Sequence, residues 1–240
     1  MKLNAMKAYF KRNWNKEDML NSFEIPLHAH KNLTKVYLTL FCATLSATFG
    51  SFLHLIWEAG DLYTVLTSVT CSLWIYFIKP WKVKRRVFLL MIAAFSFGAS
   101  LGIFTKYFFE IDQGFVVNLL AGTAIGYGTF WFEAKSTRER STLYVGCLLH
   151  SYVFMYMWFV TAAEMIFGGH TAHYLIKVLV VLALFMAYFV ICSQEIVYNA
   201  LSEDVNFVNC IFTVFFNLPA IVVHIVQLQL IEVIEHFGQS

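Results

Sequence analysis

The sequence predicts an all-α fold, a polytopic membrane helix bundle with about seven transmembrane spans. Of its 240 residues, 59% are hydrophobic, 18% are aromatic and only 13% are charged, which is not the composition of a soluble globular domain. A spanning helix needs about 20 apolar residues, and the chain after its polar head divides into apolar runs of about that length. We therefore expect residues 1–35 to form a cytosolic polar arm and residues 36–240 a single seven-span membrane domain.

The distribution of basic residues predicts the orientation of the bundle. Of the 17 lysines and arginines, seven precede residue 36, five lie within residues 79–86 and three lie within residues 135–140. Basic connections stay on the cytosolic side of a membrane, so the N-terminus is expected in the cytosol. The segment 79–86 would lie at the level of anionic lipid headgroups as a snorkelling anchor, and nucleic-acid binding is not expected.

The predicted elements follow in chain order. Residues 18–24 are expected to form a short surface helix that ends near Pro26. An acidic hinge at residues 58–61 separates the first two spans, and Pro219 is expected to kink the last one. If that last segment is re-entrant instead, both termini are cytosolic. The seven predicted spans are residues 36–57, 62–78, 87–106, 115–132, 143–167, 175–192 and 207–231.

Two spans carry glycines four residues apart. Gly98 and Gly102 lie on the third span, and Gly122 and Gly126 lie on the fourth. Small residues at this spacing form a flat helix face on which another backbone can approach closely. We predict that these glycines pack helices within the bundle rather than forming a dimer interface.

Polar groups inside the apolar runs are the candidates for function. The polar stretch 194–206 interrupts the apolar segment 187–224 and marks either a loop or a polar seam along a cavity. The five scattered cysteines predict free thiols, and the pair His170 and His173 offers too few ligands for zinc, so no metal and no cofactor are expected. The ionisable candidates within spans are His54, His150, Glu164, Glu195 and His224.

Several short blocks together resemble one known family. They are residues 32–37, Gly98 with Leu101 and Gly102, Gly122 to Ala124, residues 143–146, and Ser193-Gln194 followed by Ala200, Asp204 and Phe207. These blocks resemble the Bax inhibitor family, also called transmembrane Bax inhibitor motif proteins. The resemblance implies an ER-membrane protein, not an enzyme, that suppresses apoptotic cell death and modulates ER calcium. The implied partners are the lipid bilayer, membrane proteins of the cell-death machinery and calcium.

The chain departs from the family at the positions that carry its acid-sensitive gate. Members of the family have a pair of aspartates where this chain has Cys192 and Asn217. Two neighbouring carboxylates share a proton and titrate towards neutral pH, and they also supply the oxygen ligands that Ca²⁺ prefers. A thiol and an amide lack that charge. The resemblance therefore implies a member without the aspartate gate, with Cys192, Asn217, Glu195 and His224 as candidate pore or gate residues.

Two functional alternatives stay open beside this prediction. One is a divergent cation leak channel with residual conduction, and the other is a non-conducting scaffold that acts through protein partners. A seven-span receptor is less favoured, because the basic N-terminal arm and the short connections do not match a receptor with an outside N-terminus and long signalling loops.

Overall fold

The structure, a computed structural model, describes residues 20–58, 60–109 and 113–167 and seven later residues. The seven later residues are Ser193, Gln194, Ile196, Val197, Val208, Ile211 and Phe215. Within this described part the chain is all-α, and its one β-type contact is an isolated bridge between Glu24 and Glu139. The predicted sixth and seventh spans lie almost entirely outside the described residues, so the count of seven spans stays a prediction.

Five helices occupy the positions of the first five predicted spans. They are α1 (Leu27–Trp57), α2 (Leu62–Phe77), α3 (Val83–Phe109), α4 (Gln113–Ser136) and α5 (Arg140–Phe167). Most of them extend past the predicted apolar run into polar sequence, because helical hydrogen bonding does not stop where hydrophobicity stops. The first turns of α1 therefore come from the predicted arm.

Residues 20–26 are not helical, which corrects the predicted surface helix over residues 18–24 in its described part. The backbone of this segment pairs with the connection between α4 and α5. The Ile25 N–H donates to the Arg138 carbonyl at 2.8 Å, and the Ser141 N–H donates back to the segment at 3.1 Å. Ile25 is also fully buried. A helix of one or two turns is unstable alone, whereas this pairing and burial hold the non-helical segment in place.

Helix α1 is the centre of the described bundle. It packs between α3 and α4, while α2 lies against α3 and α5 lies against α4. Its buried residues recur every three or four positions, as expected for one face of a helix. They are Ala29, Leu33, Val36, Tyr37, Leu40, Ala43, Thr44, Ala47, Gly50, Ser51 and His54.

The backbones of α1 and α3 approach most closely at two glycines. A methyl group built on Gly98 would overlap the Ala47 carbonyl and lie 2.7 Å from the Ala47 Cα, and one built on Gly50 would overlap the backbone of α3. Across the same interface, the Ser46 hydroxyl donates to the Met91 carbonyl at 3.0 Å. Close backbone packing and hydrogen bonds between helices are the forces that hold helices together in lipid.

The other three predicted packing glycines lie on α3 and α4. Gly122 and Gly126 are buried on α4. Gly102 belongs to α3, but its surroundings fall outside the residues whose side chains are described. A packing role for these three glycines stays a prediction.

The outer surface of the bundle is strongly apolar. Large hydrophobic side chains on α1 and α2 point away from the core, among them Phe49, Phe52, Ile56, Leu66, Leu73 and Phe77. Soluble monomeric proteins rarely expose continuous apolar surface of this kind. By length and composition, one described helix, α1, is able to cross a membrane, and α2 is a shorter apolar helix. The surface therefore matches a lipid environment.

Candidate functional site

The four candidate pore or gate residues lie outside the described residues: Cys192, Asn217, Glu195 and His224. Their roles therefore stay predictions. Neighbouring residues of the same stretch are described, and they belong to the core. Ser193 and Gln194 are 2% and 7% exposed, and the Phe215 ring meets Phe97 of α3 edge-on, with ring centroids 5.9 Å apart.

A buried acidic side chain on α4 forms the best-defined polar contact in the described bundle. The Glu133 side chain is 11% exposed, and its Oε1 lies 2.5 Å from Nδ1 of His150 on α5, whose side chain is 53% exposed. Among the side chains that the structure describes, Glu133 is the one buried carboxylate. A carboxylate in an apolar environment requires a charged or hydrogen-bonding partner. His150 supplies that partner from the more exposed side.

Small residues on α5 provide the space for this carboxylate. A methyl group built on Gly146 would stand 3.2 Å from Glu133 Oε2, so a side chain there would press on the acid. Cys147 and Ser151 of the same helix are fully buried, and the Ser151 hydroxyl donates to the Cys147 carbonyl. Helix α5 thus encloses the Glu133 carboxylate, and the His150 imidazole covers it on the side that faces out of the bundle.

The arrangement can hold a proton between the two helices. A carboxylate oxygen and an imidazole nitrogen at 2.5 Å form a hydrogen bond whichever group carries the proton. A metal site needs three or more ligands, and the described residues contain no group of three His, Cys, Asp or Glu side chains that could supply them. The pair therefore acts as a polar link between α4 and α5.

Sequence reasoning singled out His150 but missed Glu133. The predicted fourth span ends at residue 132, which places Glu133 in the polar interface, where an acid needs no explanation. In the structure α4 continues to Ser136, so Glu133 stays within the helix and faces α5. An acidic residue at the edge of an apolar run, followed on the next span by a histidine, is the signal that would have identified the pair.

His54, another ionisable candidate, serves the turn between α1 and α2. The Gly60 N–H donates to His54 Nδ1 at 2.7 Å, which requires that nitrogen to be unprotonated. Glu58 closes α1 in the left-handed conformation with φ of 49°, and its N–H donates to the His54 carbonyl at 2.8 Å. The His54 ring is buried and holds the turn through these contacts.

The Glu133–His150 link can be tested by a double-mutant cycle. Replacing His150 with Leu leaves a buried carboxylate without this partner, and we expect the free energy of unfolding to fall by about 2 kcal/mol. The paired change Glu133→Leu/His150→Leu should recover much of that loss, because two apolar residues replace the pair. Thermal unfolding in detergent of the natural chain, both single variants (His150→Leu and Glu133→Leu) and the double variant completes the cycle. Additive losses in the double variant would show that the two side chains are not coupled.

Comparison with known proteins gives one consistent result. Residues 29–233 match the family model described as "Inhibitor of apoptosis-promoting Bax1". Bax inhibitor 1 of Arabidopsis thaliana is 30% identical to this chain over 233 residues, which cover 95% of this chain and 94% of that protein. Bax inhibitor 1 of Oryza sativa subsp. japonica is 30% identical over 217 residues, which cover 90% and 87% of the two chains. No solved structure matches the chain. On this evidence the chain belongs to the Bax inhibitor family, as the sequence blocks predicted.

Proposed function

We propose that this protein is an integral membrane protein of the ER that suppresses apoptotic cell death. The observation that carries the proposal is the family match over residues 29–233, together with relatives of similar length that are named as Bax inhibitors. Proteins of this family are membrane proteins, and the outward-facing apolar side chains of α1 and α2 support the same environment for this chain. Family membership favours a regulatory role over an enzymatic one.

The proposed topology has seven spans and a cytosolic N-terminus. The five described helices coincide with the first five predicted spans, and two further apolar runs follow them in the sequence. The three basic clusters would then lie on the cytosolic side. The segment 20–26 and the connection between α4 and α5, which pair with each other, would both belong to the cytosolic face.

We further infer that protection by this protein does not depend on an acid-sensitive calcium gate. The support is the sequence itself, because Cys192 and Asn217 occupy the positions of the family's aspartate pair. An amide does not titrate, and an unperturbed thiol titrates near pH 8.5. A divergent cation leak channel is the alternative, and the calcium measurements described in the Discussion separate it from a non-conducting protein.

The proposed function is tested by survival of cells in which expression of Bax causes death. Cells that produce this protein should survive more often than cells that produce an unrelated multi-span membrane protein at the same membrane abundance. Matching the abundance removes any general effect of loading the membrane. Equal survival of the two cell populations would contradict the proposal.

A further inference from the structure

A basic groove lies where α2 ends and α3 begins. The groove has a volume of about 610 Å³ and opens at the surface between the two helices. Its apolar lining comes from Trp74, Phe77, Ile78, Phe88 and Leu89. Its charged lining comes from Lys79, Lys82, Lys84 and Arg85. All nine side chains that line the groove are therefore either apolar or cationic.

The charge of the groove is not balanced by acids of its own helices. The chain contains no aspartate or glutamate between Asp61 and Glu110, a stretch that includes all of α2 and α3. The four cationic side chains that line the groove are exposed. A cluster of this kind attracts anions from its surroundings, with an effect of about fivefold in association for each lysine or arginine near a charged membrane surface.

The apolar walls of the groove stand open rather than packed. Phe77 is 84% exposed, Phe88 is 65% exposed and Trp74 is 58% exposed. Beside the entrance, the Lys79 ammonium lies 5.0 Å from the centroid of the Trp81 ring, which is within the range of a cation–π contact. An occupant must therefore present an anionic group to the cations and a long apolar part to the aromatic side chains.

In the proposed topology α2 spans the membrane, and its length then places the cations close to the hydrocarbon. The helix has 16 residues and is about 24 Å long at 1.5 Å per residue, whereas the hydrocarbon core is about 30 Å thick. A short span draws its flanking charges towards the core and thins the bilayer around it. The headgroup of a neighbouring lipid then comes level with the groove, and its acyl chains run beside α2 and α3.

We propose that this groove is a binding site for one anionic phospholipid. The phosphate and any further headgroup anion face Lys82, Lys84 and Arg85, and an acyl chain lies along Phe77 and Phe88. Zwitterionic phospholipids offer the same acyl chains, but their cationic group cancels the charge of the phosphate, whereas an anionic phospholipid keeps a net negative charge that the groove attracts. Charge complementarity thus selects anionic lipids from the bilayer around them. The site is independent of the predicted gate and of protection from cell death.

Tryptophan quenching by brominated lipids tests the proposal on the full-length protein. The protein is reconstituted into phosphatidylcholine vesicles that contain a minor fraction of either brominated phosphatidylserine or brominated phosphatidylcholine. The part of the quenching that is lost in Trp74→Phe reports on the groove. We expect brominated phosphatidylserine to quench the Trp74 fluorescence more strongly than brominated phosphatidylcholine does. In Lys82→Gln/Lys84→Gln/Arg85→Gln its preference over phosphatidylcholine should fall about tenfold or more.

Two matched variants separate a site from general surface charge. Lys31→Gln/Lys35→Gln/Lys135→Gln removes the same number of exposed cations outside the groove, and it should keep the lipid preference within about twofold. Lys82→Arg/Lys84→Arg keeps the charge and should keep the preference, which shows that the fold tolerates changes there. The proposal is overturned if the two lipids quench equally, or if both triple-glutamine variants lose the preference to the same extent. It is also overturned if inorganic phosphate at constant ionic strength abolishes the preference, because the ligand would then be free phosphate.

Discussion

Gly98→Leu is expected to prevent stable folding of the bundle. A single methyl group at this position already overlaps the Ala47 carbonyl of α1, and backbone atoms cannot move aside as the end of a side chain can. The leucine must push α1 and α3 apart and so break the packing that holds helices together in lipid. We expect a loss of about 3 kcal/mol or more in the free energy of unfolding. The measurements are the yield of folded protein and its thermal unfolding in detergent.

Gly128→Ala on α4 is a control at a glycine where added bulk meets a side chain rather than backbone. A methyl group there would lie 3.1 Å from the ring edge of Phe41, which is a side chain that can shift by a few tenths of an ångström. Alanine also has a higher helix propensity than glycine by about 1 kcal/mol. The unfolding free energy of this variant should therefore stay within about 1 kcal/mol of the natural chain. If Gly98→Leu and the natural chain had equal melting temperatures, Gly98 would not contribute to the packing of α1 against α3.

Cys192→Asp/Asn217→Asp is expected to give the protein a pH-dependent calcium leak. The two changes restore the pair of carboxylates that the family resemblance implies at these positions, and such a pair can share a proton near neutral pH. The carboxylates also offer oxygen ligands for Ca²⁺. The natural chain should show little leak, nearly flat between about pH 6 and pH 8. Calcium efflux from proteoliposomes that contain either protein measures the difference.

Single changes serve as controls for the calcium prediction. Cys192→Asp alone and Asn217→Asp alone place one carboxylate without its neighbour, so neither should reproduce the pH step of the double variant. A steep pH step in the natural chain would overturn the prediction. In that case His224→Ala and Glu195→Gln would identify the group that titrates, because these are the remaining ionisable candidates in this stretch.

The helices themselves were predictable because each one contains an apolar run. The end of α1 at Trp57 and the start of α2 at Leu62 both match the predicted spans, since the acidic hinge between them is a clear interruption. In α2 the Asp61 side chain accepts a hydrogen bond from the Leu62 N–H at 2.6 Å, a local capping interaction. The start of α1 at Leu27 was missed, because a search for apolar runs does not detect helical turns in polar sequence.

Tertiary contacts were harder to predict than helices. A search for glycines four apart found Gly98, but it missed Gly50, whose close approach to α3 depends on the helix beside it. The wider pattern of any two small residues four apart would have included Ser46 and Gly50. The same limit applies to Glu133, whose burial is decided by α5 and not by the sequence around it. Contacts between helices depend on which faces meet, and one sequence does not specify that choice directly.

The most direct test measures cell survival and ER calcium together in cells in which Bax is expressed. We expect the natural chain to raise survival while the ER calcium level and its response to cytosolic acidification stay as in cells with an unrelated multi-span protein. The variant Cys192→Asp/Asn217→Asp should alter ER calcium in a pH-dependent manner. If the natural chain protects only when it also lowers ER calcium in an acid-dependent way, protection without a titrating gate is contradicted.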